Sequence, residues 1–437
     1  MRKPTSVVPI EHGEMVVVSV TTAITGGQMV TGLSEEPIAN GTVLIEGNCI
    51  RAAGPADKVA LPRDAVIIDA AGHTVLPGLI DCHVHSTYRA RDVRQHLLNT
   101  PSYNILRSTQ ILKETLACGI TSAREMSGAD AGFREAINDE LIHGPRLQLS
   151  ILMISQTGGH GDYWVPAGMH VPKRAWLPSP VADGPDEMRK LVRHVLRAGA
   201  DFVKVCTSGG ITSVTDSPDE PQYTVEEIRV AVSEAANKGK PVAVHAEGMT
   251  GIKRALDAGV YSIEHGWFID EECVDTMLRQ DTWWVPTIAL VPMSVTHRKK
   301  NPEWSAQQLA DEEHKDNELL ARFKEQIPLW QEAVRRGVRI AMGSDQSHRL
   351  LTGNNLVELE YMVDWLGMSP MRALLCATSE AAQCMKRPDL GALEAGRLAD
   401  IVVVEGDPLT DIRLLQRREN MKLVMKAGQR YTDQLRI

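Results

Sequence analysis

Thr74-Val75-Leu76-Pro77-Gly78-Leu79-Ile80-Asp81-Cys82-His83-Val84-His85 is an apolar run that closes on two histidines one residue apart. In a strand, residues i and i+2 share a face, so His83 and His85 project side by side from its carboxyl end. Two neighbouring imidazoles suit a single metal ion. Taken alone, the pair is weak evidence, since two histidines satisfied by ordinary hydrogen bonds give the same pattern. The sequence on either side decides between the two.

Downstream the chain settles into a strand-then-helix rhythm. Strands are expected over 120–125, 146–152, 201–206, 241–247, 262–266, 282–287 and 339–345. Helical spacing falls between them at 105–117, 132–142, 186–198, 225–237, 252–258, 271–279 and 305–336. Several of these helices stop on an Ala-Gly or Lys-Gly pair, as C-caps do. Short apolar strands between helices mean a parallel sheet buried on both faces, and eight in about 275 residues mean a (β/α)8 TIM barrel. Residues up to about 73 read as β structure without helices, rich in Val, Ile and Thr at 15–24, 41–53 and 65–69. After a further helix at 370–385, β character returns at 391–404 and 422–428. The simplest assembly is an α/β chain in two domains. Residues 1–73 and 390–437 form one small β-sandwich from both termini, and 74–389 form the barrel. The segment 294–329 reads either as a lid or as an oligomer contact.

Catalytic residues of such barrels come from the carboxyl ends of the strands. At those ends lie His83 and His85 on the first strand, Lys204 on the fourth, His245 on the fifth, His265 on the sixth and Asp345 on the eighth. Each has an ordinary reading: a snorkelling lysine, packed imidazoles, an aspartate in a turn. Their convergence on one end of five strands is not what packing alone produces.

The set resembles the amidohydrolase superfamily, in its binuclear class with a carboxylated lysine. The resemblance runs over essentially the whole chain. It rests on the LPGLID-x-H-x-H stretch, Phe202-Val203-Lys204, the His245 and His265 strands, Gly343-Ser344-Asp345, and Gly396-Arg397-Leu398-Ala399-Asp400. Within it, Gln156-Thr157-Gly158-Gly159-His160-Gly161-Asp162, Ser208-Gly209-Gly210 and Tyr223 resemble prolidase-like dipeptidases and the carboxypeptidase-like amidases of N-acyl amino acids.

The resemblance implies one divalent ion held by His83, His85 and Asp345, a second by His245 and His265, and a CO2-derived carbamate on Lys204 bridging them. Imidazole and oxygen ligands without thiolate suit Zn2+, with Mn2+ or Co2+ as alternatives. A water shared by the ions, its pKa lowered towards roughly 7, attacks the amide carbonyl. Asp345 takes the proton and returns it to the leaving amine. His160 is expected to donate to the carbonyl oxygen or the substrate's carboxylate, and Tyr223 with the Gly209-Gly210 backbone to hold that carboxylate. Trp164, Trp267 and Trp284 are candidates to wall an apolar pocket. The substrate is then a dipeptide or N-acyl amino acid. The alternative on the same centre is a xenobiotic amide, carbamate, urea or organophosphate. A non-enzymatic, filament-forming scaffold is a third reading, against which all six ligand positions speak. The family also implies a homo-oligomer, up to an octamer.

Composition removes other classes. A formal charge of -9 over 437 residues leaves no basic footprint for nucleic acid. Seven scattered cysteines with no CxxC pair suggest reduced thiols, hence a cytoplasmic protein. No apolar run reaches the roughly 18–20 residues of a membrane span, and none near Met1 forms a signal peptide.

Overall fold

The computed structural model describes residues 5–9, 15–19, 21–87, 99–162, 164–165, 169–170, 178–211, 216–293, 306–347 and 353–435. The chain is an α/β protein in two compact units. The first comprises Met1–Ile80, Glu114–Ser122 and Ser369–Ile437; the second comprises Asp81–Lys113 and Ala123–Met368. No helix among the described residues is long and apolar enough to cross a membrane.

In the first unit, strands from both ends of the sequence join one eight-stranded sheet. Gln429–Asp433, Met421–Lys426, Ile401–Glu405, His73–Pro77, Thr21–Met29, Ile38–Glu46 and Cys49–Pro55 follow one another, and Val66–Asp69 pairs beside Thr21–Met29. Its core draws on both termini, with Ile24, Ile45, Ile68 and Val75 packing with Ile401, Val403 and Leu423. The two-helix segment Pro370–Cys376 and Ser379–Cys384 groups with this unit. The opening stretch of the sequence is therefore not one strand. His73–Pro77 pairs with Ile401–Glu405 in the terminal sheet, and a second strand, Leu79–Val84, starts beyond Gly78. Pro77 lacks an N–H for a continuous ladder, which is where the chain divides. The compact units divide near 80 and 369.

The second unit holds a six-stranded parallel sheet, Met153–Ile154, Val203–Cys206, Val242–Ala246, Ser262–His265, Trp283–Val285 and Arg339–Ile340 in order. The strand expected over 146–152 is broken. Ile151 sits at φ +70°, and Arg146–Leu149 and Met153–Ile154 join different sheets on either side of that bend. At the other end of the series, Cys82 N–H donates to Met342 O, Asp345 N–H to His83 O and His85 N–H to Gln346 O. Val84 and Gln346 thus form a parallel bridge.

Helices cover these strands for the expected reason. Gly184–Arg197 buries Met188, Leu191, Val192 and Val195, the i, i+3, i+4, i+7 stripe of an amphipathic helix. Val225–Ala236 begins on a capping box, Thr224 with Glu227. The long helix Ala306–Arg335 is pinned by Phe323 and Trp330, which pack in an aromatic cluster with Trp267. Trp330 Nε1 also donates to Trp267 O at 2.9 Å. Each such aromatic contributes about 2–3 kcal/mol by burial. Residues 294–305 of the segment read as a lid or contact lie outside the described residues.

Candidate active site

His83 lies in the strand Leu79–Val84 and His85 just past its end, with ring centroids 5.5 Å apart. Asp345 comes to them from the last strand through an extended Gly343-Ser344. A Cβ on Gly343 would meet Val285 Cγ1 at 2.4 Å and His83 Cβ at 2.9 Å, so only glycine lets the backbone pass this close. Asp345 Oδ1 stands 3.6 Å from His83 Nε2 and 3.3 Å from His85 Nε2. One ligand atom from each of the three lies within 4.8 Å of the others, a site sized for a cation.

One buried carboxylate fixes this geometry. Asp81 accepts from the N–H of His83 (3.0 Å), the N–H and hydroxyl of Ser344 (3.0 and 2.6 Å) and the Asn355 amide (2.9 Å). The first and last strands of the series are thereby tied just behind His83, His85 and Asp345.

The other ring nitrogens are assigned by their partners. His83 Nδ1 faces Glu264 Oε2 at 3.0 Å, and Glu264 is paired with Arg124 at 2.5 Å. A carboxylate so paired only accepts, so Nδ1 carries the proton and Nε2 the lone pair. His245 Nε2 faces the Gly209 carbonyl at 3.2 Å, which leaves the Nδ1 lone pair. His265 Nδ1 lies 2.7 Å from Thr287 Oγ1, which leaves Nε2. The His265 ring is 4.9 Å from that of His83 and 4.6 Å from that of His245, so the two groups adjoin. Burial holds His83, His245 and His265 well below the usual histidine range, and nearby cationic groups add to it. All three are neutral at pH 7, the state a ligand needs.

Lys204 sits among them on Val203–Cys206, 1 % exposed. Its Nζ is buried without a hydrogen-bond partner. Burial lowers the amine to about 8, against the pull of Glu264 and Asp345. An orphaned buried amine costs several kcal/mol unless something else completes it. Burial pushes the neighbouring Cys206 thiol up, so it offers no thiolate. His265 and Asp345 adopt φ of +68° and +52°, left-handed conformations that cost about 1–3 kcal/mol each and concentrate at functional sites.

His160 stacks on His245 with centroids 4.1 Å apart and planes 11° apart. Its Nδ1 has no hydrogen-bond partner, and Asp216 Oδ1 lies 3.6 Å away. The structure departs from the sequence reading at Tyr223, Gly209 and Gly210. The Tyr223 hydroxyl donates to Ala182 O at 2.7 Å, Gly209 N–H to Glu220 O and Gly210 N–H to Asp216 Oδ1. No donor of the three is left over for a carboxylate. Gly210 serves another purpose: a Cβ there would lie 2.4 Å from the His160 ring. Trp267 and Trp284 also differ from pocket walls, being fully buried with their indole N–H groups given to Pro286 O and His265 O. Trp164 is 40 % exposed.

Sequence reasoning missed Asp81, Glu264, Thr287 and Asn355, which brace these side chains through hydrogen bonds. The available signal was a charge inside an apolar run, as at Asp81 and Glu264.

The description Amidohydrolase family matches residues 74–431. The chain belongs to the amidohydrolase family. It is 31% identical over 429 residues to ochratoxinase of Aspergillus niger, covering 93% of this chain and 86% of that one. The crystal structure of the A. niger ochratoxinase superposes with a TM-score of 0.82 at 30% identity, over 95% of this chain and 96% of that one. A Xaa-Pro dipeptidase with methionine bound in its active site gives 0.84 at 33% identity, over 94% of this chain and all of that one. This amidohydrolase is an enzyme that hydrolyses amide bonds.

Proposed function

We propose that this amidohydrolase cleaves the amide bond of a dipeptide or N-acyl amino acid with a free carboxylate, at a pair of divalent ions. The observation that carries the reading is Lys204: a buried amine without a partner, with its pKa lowered to about 8 among three neutral imidazoles. A carbamate on that amine would give it ligands on either side and give the site an anion to offset two cations. His83, His85 and Asp345 would hold one ion, and His245 and His265 the other. The donor set fits, being imidazole and oxygen with each ring's second nitrogen already engaged. Zn2+ suits it best, with Mn2+ or Co2+ as alternatives. When bound, the ions polarise the scissile carbonyl and lower the pKa of a water.

Asp345 then accepts the water's proton and delivers it to the leaving amine, having one carboxylate oxygen facing both histidines. His160 donates to the carbonyl oxygen or to the substrate's carboxylate through its other ring nitrogen, since Nδ1 is buried beside Asp216 Oδ1. The same reading takes the parallel strands as a closed (β/α)8 barrel and the terminal strands as a β-sandwich. The bonds between 82–85 and 342–346 support closure, and the shared core of both termini supports the sandwich. Seven unbridged cysteines support a reducing, cytoplasmic setting.

A second reading has its own support. With the donors of Tyr223, Gly209 and Gly210 already spent, a xenobiotic amide or carbamate lacking a carboxylate is the rival substrate. Kinetics on matched N-acyl amino acids and their C-terminal amides separate the two. A lost charge-assisted bond costs about 1.5–3 kcal/mol, so kcat/KM is expected to fall about tenfold to a hundredfold on amidation. Equal rates on both members of each pair would move the assignment to the xenobiotic class.

A further inference from the structure

Glu358 lies on the helix Val357–Asp364, its carboxylate fully buried and outside the ligand set. Its Oε1 accepts the N–H of Ile288 at 2.8 Å, and its Oε2 the N–H of Ala289 at 2.7 Å. Two successive N–H groups aimed at the two oxygens of one carboxylate make a small anion nest. Burial pushes the carboxyl up to about 8, while the two N–H groups act in the opposite sense and favour the ionised form. Burying such a group is costly, so a fold that merely needed a filled space would use an apolar side chain.

The residue before the nest explains the expense. Thr287 is β-branched yet held at φ +47°, where a side chain such as this is a true outlier. It is fully buried, and its hydroxyl meets His265 Nδ1 at 2.7 Å. Holding it there is strained, and the two hydrogen bonds that Glu358 accepts from the next two backbone N–H groups offset that strain. On the other side of Thr287, the carbonyl of Pro286 is engaged by Trp267 Nε1 at 2.9 Å. The turn is thus clamped on both sides of the strained residue.

We infer that Glu358 is a positioning residue, which holds Thr287 in its left-handed turn so that the threonine hydroxyl fixes His265 with Nε2 presented as a ligand atom. This rests on the reading of His265 as a metal ligand, and the test separates the two.

In metal-free protein, 15N NMR of the histidine side chains should show His265 in a single tautomer, held by the Thr287 hydroxyl at Nδ1. Glu358→Gln sets an NH2 against one of the two backbone N–H groups, and Thr287→Val removes the hydroxyl at equal volume. Each should turn His265 into a tautomer mixture, whereas Thr287→Ser keeps the wild-type signal. With Zn2+ added in competition with a chelating dye, Glu358→Gln and Thr287→Val should each weaken one ion about tenfold to a hundredfold and spare the other. The double variant should be no weaker than Thr287→Val alone. An unchanged His265 tautomer in folded Glu358→Gln, or additive losses in the double variant, would overturn the inference. A normal tautomer response with neither ion's affinity changed would instead sink the assignment of His265 as a ligand.

Discussion

Lys204→Ala is expected to lose at least about a thousandfold in kcat/KM and to retain fewer ions than wild type. The reason is electrostatic. Several kcal/mol of charge stabilisation depend on the ion pair, and each 1.36 kcal/mol is tenfold in rate. Without the bridging anion, two cations would face one another across neutral imidazoles. Lys204→Met, which fills the same space, should lose as much, so cavity formation is not the cause. Only the alanine variant should recover partly with acetate or propionate, because only it leaves room for a carboxylate. Wild-type turnover in either variant would remove Lys204 from the centre.

The lowered pKa of Lys204 gives the same residue a pH signature. Carboxylation needs the neutral amine: its nitrogen lone pair adds to the carbon of CO2, and one N–H proton leaves for water. With a pKa of about 8, about a tenth of the amine is neutral at pH 7, against a few in ten thousand for an ordinary lysine. Reactivation of metal-stripped protein by CO2 and zinc should therefore quicken about tenfold per pH unit between 6 and 7 and level off above 8. A rate independent of pH across that range would contradict the assignment.

Asp345→Asn should lower kcat about 10²–10⁴-fold, the range ascribed to a positioned general acid–base, and leave KM within a few-fold. Asparagine is the right substitution because it tolerates the left-handed backbone found at 345, where φ is +52°. The variant thus loses the proton acceptor without new backbone strain. Equal losses in turnover and in substrate affinity would point to a structural part for Asp345.

The convergence of these side chains was legible because chemistry constrains both residue type and strand position. His83, Lys204, His245 and His265 all lie in strands of one series, and His85 and Asp345 follow strands of the same series. What was not legible has particular causes. Val357-Glu358-Leu359-Glu360-Tyr361 alternates apolar and acidic residues, a strand-like period, yet it is part of a helix whose Glu358 reaches inward to a turn some seventy residues earlier. The bend at Ile151 and the strain at Thr287 place β-branched residues where local propensity argues against them, so only tertiary contacts can produce them. Tyr223 looked like a substrate donor by motif; its proton goes to Ala182, a partner forty-one residues away that no local pattern reveals.

The most direct measurement is native mass spectrometry with elemental analysis of the wild-type protein, purified with bicarbonate and zinc. Two divalent ions per chain and the mass of one added CO2, both lost together in Lys204→Met, is the expected result. A folded, active wild-type enzyme carrying a single ion and no added carboxyl would contradict the two-ion, carboxylated-lysine centre.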